Sequence, residues 1–250
     1  MTSIHYIIIG ISLALILVLI ELYKPARKYS AAEKKSSYIT NIFIFLCNNI
    51  ITFLLQITII ATFAHSFSPA QNVYELLPVF AQVAVGIIVL DLSIWIWHML
   101  NHRIDFLWKF HKCHHSEKYL NATSALRFHI GELLLSVVWK SAVLIITGIP
   151  IWIFILSEFL LTGFAMFHHA NISLSRNFRG LFEKFFISPY LHRVHHSTER
   201  HEHDTNYGVI FSFWDILFKT MKRIIPDTIG LDGVSTKNFF SFTLFPFSKK

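Results

Sequence analysis

The chain has 250 residues, of which 54% are hydrophobic and 15% charged, with a formal net charge of +7 and a mean hydropathy of +0.51. Soluble domains carry about a quarter charged residues, so this composition excludes an ordinary water-soluble globule and indicates an integral membrane protein. The basic balance suits loops that set orientation and touch anionic headgroups; nothing in it resembles a nucleic-acid reader, and Cys47 and Cys113 give no disulfide framework.

In chain order, a first apolar run covers about residues 4–23, a second 39–64 and a third 79–98, each long enough for a membrane span. The first lacks a basic stretch before it and a small-residue cleavage site, so it reads as a retained span and not a removed signal peptide. Two shorter runs, 133–147 and 151–167, are separated by Gly148-Ile149-Pro150. Glycine and proline break a helix there, which predicts an antiparallel hairpin. Its first arm reaches about 22 Å against a hydrocarbon core of about 30 Å, and the hairpin returns to its starting side whether or not the arm crosses fully. The expected fold is all-α: about four spans, or three plus a hairpin, with a cytoplasmic helical cap. Residues 1–78 read as membrane anchor, 79–223 as catalytic core and 224–250 as a C-terminal tail, within one structural domain.

Lysine and arginine set the expected orientation. The 24–38 linker carries Lys24, Arg27, Lys28, Lys34 and Lys35, whereas the 65–78 connection and the Gly148 turn carry none. The positive-inside rule places that linker in the cytoplasm, and counting crossings places 99–132 and everything after 168 there as well. Lys140 remains inside a span. It lies nine residues before Ile149 and Glu158 lies nine after, so the two sit at matching depth and predict a structural ion pair. Trp95, Trp97 and Trp108 read as an interfacial belt.

Eleven of the fifteen histidines fall between positions 98 and 196. His98 and His102 form HxxxH; His111, His114 and His115 form HxxHH; His129 stands alone; His168 and His169 are adjacent; His192, His195 and His196 repeat HxxHH. Spacings of three and four share a helical face, and neutral imidazole is the commonest protein ligand for zinc, copper, iron and nickel. One tetrahedral ion takes about four ligands, so this many converging imidazoles predict two. The expected topology puts all eleven at or beyond one membrane face, although they come from four pieces of chain. His5, His65, His201 and His203 read as interfacial residues, and Cys113 is not expected to ligate.

The stretch DLSIWIWHMLNHRIDFLWKFHKCHHS, Asp91 to Ser116, resembles the signature of the fatty acid hydroxylase and sterol desaturase superfamily. SEKYLNATSALRFHIGE is similar to that family's Asn-containing loop before an Arg-x-His segment, FHHAN to its His-x-Asn element, SPYLHRVHHS to its last cluster and DTNYGVIFSFWDILFKT to its closing segment. The likeness covers about residues 80–220 in the family's order. Met99, Ile130 and Lys219 depart from the common Arg, Pro and Gly, and none of these departures removes a clustered histidine. The resemblance implies a membrane enzyme with a histidine-ligated di-iron centre that uses dioxygen to hydroxylate or desaturate a lipid.

His98, His102, His111, His114, His115, His192, His195 and His196 are expected as direct ligands. His168 and His169 lie about 100° apart on a helix, so at least one is expected to join them. His129 is either part of the catalytic set or an interfacial residue donating to Glu132. Asp91, Glu132, Asp204 and Asn206 are candidates for orienting the ligand rings. Asp91 lies two turns before His98 in an apolar run, where an unpaired carboxylate is costly; a ligand histidine or a substrate polar group is its expected partner. The expected cofactor is two iron ions, with zinc possible in a purified form. The sequence holds no GxGxxG after a strand, no CxxCH and no iron–sulfur cysteine set, so a separate donor such as cytochrome b5 or a ferredoxin, with its reductase, is implied. A metal transporter would carry its ligands near the bilayer midplane on broken helices, whereas these lie at helix ends. A di-zinc membrane hydrolase fits the ligands equally well, because imidazole does not choose zinc over iron; redox behaviour discriminates.

Overall fold

The computed structural model describes residues 3–64, 74, 76–231, 233–234 and 238–248, without the side chains of 3–8 and 52–64. The His5 side chain, His65 and most of the 65–78 connection lie outside the described residues. Among the described residues the chain is all helical, and its β pairings are isolated bridges such as Pro25 with Ile172.

Helix α1 spans Ser3–Tyr23 and α2 Ala31–Ala64. Helix α2 starts ahead of its apolar run because Ser30 and Glu33 exchange bonds: the Ser30 amide donates to Glu33 Oε2 (2.8 Å) and the Glu33 amide to Ser30 Oγ (3.2 Å), a reciprocal cap. Helices α3 (Val79–Arg103), α5 (Ile130–Thr147) and α6 (Ile151–His169) are each long and apolar enough to cross a membrane. Between α3 and α5 lies the amphipathic α4 (Asp105–His115), set off by the extended Ile104. The expected hairpin is present. Gly148, at φ 66°, closes α5 in the left-handed conformation and its amide donates to Leu144 O, a cap that favours glycine; Pro150 then precedes α6.

Ser93, Ser136, Ser141 and Thr147 donate to carbonyls of their own helices, at Leu90, Leu133, Val137 and Val143. Hydroxyls in hydrocarbon need such internal partners. Helix α3 packs against α6, α4 and α5, and α1 against α6. Small residues let the 3₁₀ turn Ala122–Leu126 lie close to α6: Ala122 and Ala125 are buried with Met166, Ala170 and Ile172. The outward side chains of α1, among them Ile11, Leu15 and Leu19, are exposed, as expected of a helix whose solvent is lipid.

Beyond α6 the chain forms short helices: α7 (Arg176–Phe182), α8 (Pro189–His195), α9 (Arg200–His203) and α10 (Phe213–Leu217). The tail then folds back through α11 (Phe239–Leu244), burying Phe242 and Phe245 with Ile44 and Cys113. Lys219 stands at φ 57°, in the left-handed region where glycine is at ease, so its departure from the common glycine carries backbone strain.

Lys140 Nζ lies 2.6 Å from Glu158 Oε2 and bridges the two arms of the hairpin. Removing one member of such a pair strands the other charge in a poorly hydrated site. Glu158→Gln is therefore expected to lower stability by about 2 kcal/mol more than the doubly neutral Lys140→Met/Glu158→Gln protein, read from thermal unfolding in detergent. Equal losses in the two variants would show that the bond contributes nothing.

Candidate metal centre

The clustered histidines meet because four helix ends meet. The last two turns of α3 supply His98 and His102, α4 supplies His111, His114 and His115, the end of α6 supplies His169, and α8 with the residue after it supplies His192, His195 and His196. They sort into two groups. His98, His102, His111, His115 and His195 each place one ring nitrogen within 4.8 Å of the others, and His114, His169, His192 and His196 do the same. The nine rings are all buried or nearly so.

Partners outside the groups fix the orientation of the rings. Nδ1 of His98 faces Tyr207 O (2.8 Å), that of His195 faces Thr205 O (2.8 Å), that of His114 faces Arg127 O (3.3 Å) and that of His169 faces Ala165 O (2.7 Å). His102 Nδ1 lies 3.2 Å from Asp204 Oδ1 and His111 Nδ1 lies 2.8 Å from Glu132 Oε1. Carbonyls and carboxylates only accept, so each of these Nδ1 atoms carries the proton and each Nε2 turns its lone pair inward. Glu132 and Asp204, expected as orienting groups, are the two carboxylates in these contacts.

The inward nitrogens suit a cation. Nε2 of His102, His111 and His195 and both nitrogens of His115 are buried without a hydrogen-bond partner. In the second group Nε2 of His169 lies 3.0 Å from that of His114 and 3.0 Å from that of His192, with His196 Nε2 3.2 Å from both His169 and His192. His114 and His169, whose Nδ1 atoms face carbonyls, turn lone pairs toward each other, and lone pairs at that range repel. An ion bound to imidazole nitrogen at about 2.0–2.1 Å in a tetrahedral array spaces its donors by little more than about 3 Å, and turns the repulsion into ligation. Burial, reinforced by neighbouring imidazoles, holds His114, His115, His192 and His196 well below the ordinary histidine value, and His195 likewise, so their lone pairs are free at neutral pH. Burial pushes the Cys113 thiol up, and its Sγ donates to Phe242 O (3.8 Å). It is a packed thiol away from both groups.

Of the adjacent pair, His169 enters the second group. His168 stays outside both, with its Nδ1 3.2 Å from Val209 O and its ring centroid 3.9 Å from that of His192. His129 belongs to neither group, and the donation to Glu132 expected as its alternative is replaced by other bonds. It caps α5, with Nδ1 accepting from the Gly131 amide (3.0 Å) and Nε2 donating to Thr243 O (3.1 Å). Asn206, at φ 54°, ties Leu191 O, Lys222 O and the Lys222 amide together, so its side-chain hydrogen bonds hold a loop.

Asp91 also requires correction. Its carboxylate accepts from the Ile210 and Phe211 amides (3.1 and 3.2 Å) and from Trp214 Nε1 (2.9 Å), so its partners are backbone amides and an indole, with no ligand histidine among them. A reciprocal bond runs the other way. Asp215 accepts from Trp95 Nε1 (3.0 Å), from the Tyr207 and Gly208 amides (2.9 Å each) and from Thr220 Oγ1 (2.6 Å). Gly208 has no room for a side chain, since a Cβ there would lie 2.9 Å from Asp215 Oδ2. These bonds brace the 205–215 loop against α3, and that loop supplies the carbonyls facing His98, His168 and His195. Trp95 is thus a buried brace, 3% exposed, and not part of an interfacial belt. Trp97 stacks on Trp139, and Trp108 stacks on His203 at 5.2 Å.

Two residues of the centre escaped the sequence reading. Asp215 follows Trp214 in an apolar context, the same signal that singled out Asp91. His203, read as interfacial, is buried, shares a third group with His102 and Asp204, and donates from Nδ1 to Ser197 O (3.1 Å); its position at the end of the short α9 carries no spacing signal.

A cavity of about 160 Å³ adjoins both groups, lined by histidines that include His98, His111, His114 and His169 and by the apolar Ile94, Trp97, Phe128, Leu133, Ala165 and Val209. Ile94, Phe128, Leu133, Ser136, Lys140, Ala165 and Val209 also line a second cavity of about 310 Å³, which extends to Phe45 and Asn48 of α2 and to Glu158 of α6. The two share a wall between the helices and run from the imidazoles into the helical bundle.

A family model described as fatty acid hydroxylase matches residues 83–220. The chain belongs to the fatty acid hydroxylase family. It is 30% identical over 176 residues to an ornithine lipid hydroxylase of Rhizobium tropici, covering 69% of this chain and 52% of that protein. It is 29% identical over 158 residues to the alkylglycerol monooxygenase of Caenorhabditis elegans, covering 60% and 29% of the two chains. Against the human alkylglycerol monooxygenase it is 27% identical over 132 residues, covering 53% and 28%. The chain therefore spans about half the length of the first of these relatives and under a third of the others. No solved structure matches the chain.

The division between the neighbouring histidines is open to test. His169→Ala is expected to lower bound metal from two ions per chain to one, whereas His168→Ala keeps both, as measured by elemental analysis of the purified proteins. Asp204→Asn is expected to weaken metal affinity by about 10–100-fold in a competition titration with a chelator.

Proposed function

We propose that the protein is a membrane-bound di-iron oxidoreductase that inserts oxygen into, or desaturates, a lipid C–H bond. The observation that carries this reading is the convergence of nine buried imidazoles into two groups beside a largely apolar cavity, in a chain of the fatty acid hydroxylase family. His98, His102, His111, His115 and His195 hold one ion; His114, His169, His192 and His196 hold the other. Reduced iron with dioxygen supplies an oxidant strong enough for an unactivated C–H bond, which acid–base groups alone do not.

The chain's own residues do the remaining work. Glu132, Asp204 and the carbonyls of Tyr207, Thr205, Arg127 and Ala165 keep the protons on Nδ1 and the lone pairs on the metal side. Ile94, Trp97, Phe128, Leu133, Ala165 and Val209 exclude water and admit an apolar portion of substrate. Hydroxylation balances as one lipid C–H bond plus dioxygen, two electrons and two protons giving an alcohol and water. No segment of the sequence carries an electron carrier, so the two electrons come from a separate protein donor of the cytochrome b5 or ferredoxin type with its reductase. The basic loops favour the cytoplasmic side for the imidazoles and for that donor. The relatives' names, an ornithine lipid hydroxylase and alkylglycerol monooxygenases, favour oxygen insertion into an amphipathic lipid over desaturation of a free hydrocarbon.

Ferrous protein reconstituted in lipid nanodiscs with a reductant is expected to consume dioxygen only when its lipid is present, and mass spectrometry should find that lipid heavier by one oxygen atom or lighter by two hydrogens. Turnover of the zinc-loaded protein without dioxygen would replace this reading with hydrolysis.

A further inference from the structure

The cavity beside the imidazoles is not wholly apolar. Apart from the histidines, four residues with hydrogen-bonding chemistry on its wall bear on what it takes: Asn101, Glu132, Ser136 and Lys140. Ser136 and Lys140 are engaged, with Leu133 O and Glu158. Asn101 donates from Nδ2 to Trp97 O, and Glu132 Oε1 accepts from His111 Nδ1. One atom of each is left over. Asn101 Oδ1 and Glu132 Oε2 are buried without any partner, in residues only 1% and 4% exposed. A buried acceptor without a donor costs about 1–3 kcal/mol and more when charged, so two of them on one cavity wall mark a place kept for a ligand. Both atoms are acceptors, and the ligand must bring the hydrogen.

We propose that Asn101 and Glu132 bind the substrate directly, and that the lipid oxidised here carries a hydrogen-bond donor, an amide or amine N–H or a hydroxyl, close to the carbon that reacts. The inference rests on the oxygenase reading and narrows its substrate class: a bare alkyl tail would leave both oxygens stranded. Proximity follows from the wall itself, since His98, His111, His114 and His169 line the same 160 Å³. The two residues stand next to the ligands on their own segments, Asn101 before His102 on α3 and Glu132 bonded to His111. A donor captured there presents the neighbouring carbon to the centre. The more distant methylenes of the chain extend into the second cavity.

The test is equilibrium binding to the metal-loaded protein in detergent, without reductant, using two matched probe pairs. N-palmitoylglycine and N-palmitoylsarcosine differ by an amide N–H replaced with N–CH₃; hexadecanol and hexadecyl methyl ether differ by a hydroxyl replaced with a methoxy group. The donor-bearing member of at least one pair is expected to bind about tenfold tighter or more, and which pair discriminates tells nitrogen from oxygen donors. Asn101→Leu should reduce that ratio to below about threefold with metal content and melting temperature unchanged. Glu132→Gln, which turns an amide NH₂ toward the cavity, should reduce it too. Equal affinities within both pairs for the wild type, or a ratio that survives in both variants, overturns the proposal. A protein that discriminates the probes yet adds oxygen to no lipid would refute the oxygenase reading and leave this site standing; a protein that oxidises lipid without discriminating would do the reverse.

Discussion

A buried imidazole has two nitrogens to satisfy, and most of the organisation of this protein follows from how each pair is divided. One nitrogen of each oriented ring donates outward to a carbonyl or carboxylate, and the other is left bare toward its neighbours. Six outward partners are in place: Tyr207 O, Thr205 O, Arg127 O, Ala165 O, Asp204 and Glu132. The inward nitrogens then gather in two groups, each within 4.8 Å, where a cation could be ligated. Folding the chain and preparing the metal site are one process, because all of the contacts that orient the rings except His169–Ala165, which lies within α6, join separate segments of the chain.

That loop has little regular structure of its own, and it is held by charge. Asp91 reaches from a membrane helix to the Ile210 and Phe211 amides and Trp214; Asp215 reaches back to Trp95. A carboxylate in a low-dielectric setting is costly when unpaired, and here each one is saturated by N–H donors. The crossed bonds make the loop's carbonyls as fixed as those of a helix, which is what ring orientation to within a few tenths of an ångström requires. The bilayer supplies the other condition. Apolar helices ending at one level leave a seam between α3, α5 and α6, and the cavity in that seam joins the imidazoles to the surroundings of a lipid chain.

Much of this was legible before any coordinates. Long apolar runs fixed the helices, Gly148 and Pro150 fixed the hairpin, and symmetric counting from Ile149 paired Lys140 with Glu158. Helical spacing put His98 with His102 and His111 with His115 on common faces, whereas the 100° step between His168 and His169 left open whether one or both would join. The errors share a cause. Asp91, His129, Asn206 and Trp95 were each read by type and neighbourhood, and each is engaged by a segment distant in sequence: 210–214, 243, 222 and 215. Periodicity reports which face a residue occupies and is silent on what meets it there.

Composition and spacing alone decided that this is a helical membrane protein carrying enough imidazole for two ions, because hydrophobic period and ligand spacing are local properties of the chain. Which histidines join which group, which carbonyl holds each ring, and which oxygens of Asn101 and Glu132 remain unpaired were settled only when separated segments docked. Those outcomes depend on distances of a few ångströms between residues up to about a hundred positions apart, and the one-dimensional pattern holds no such information.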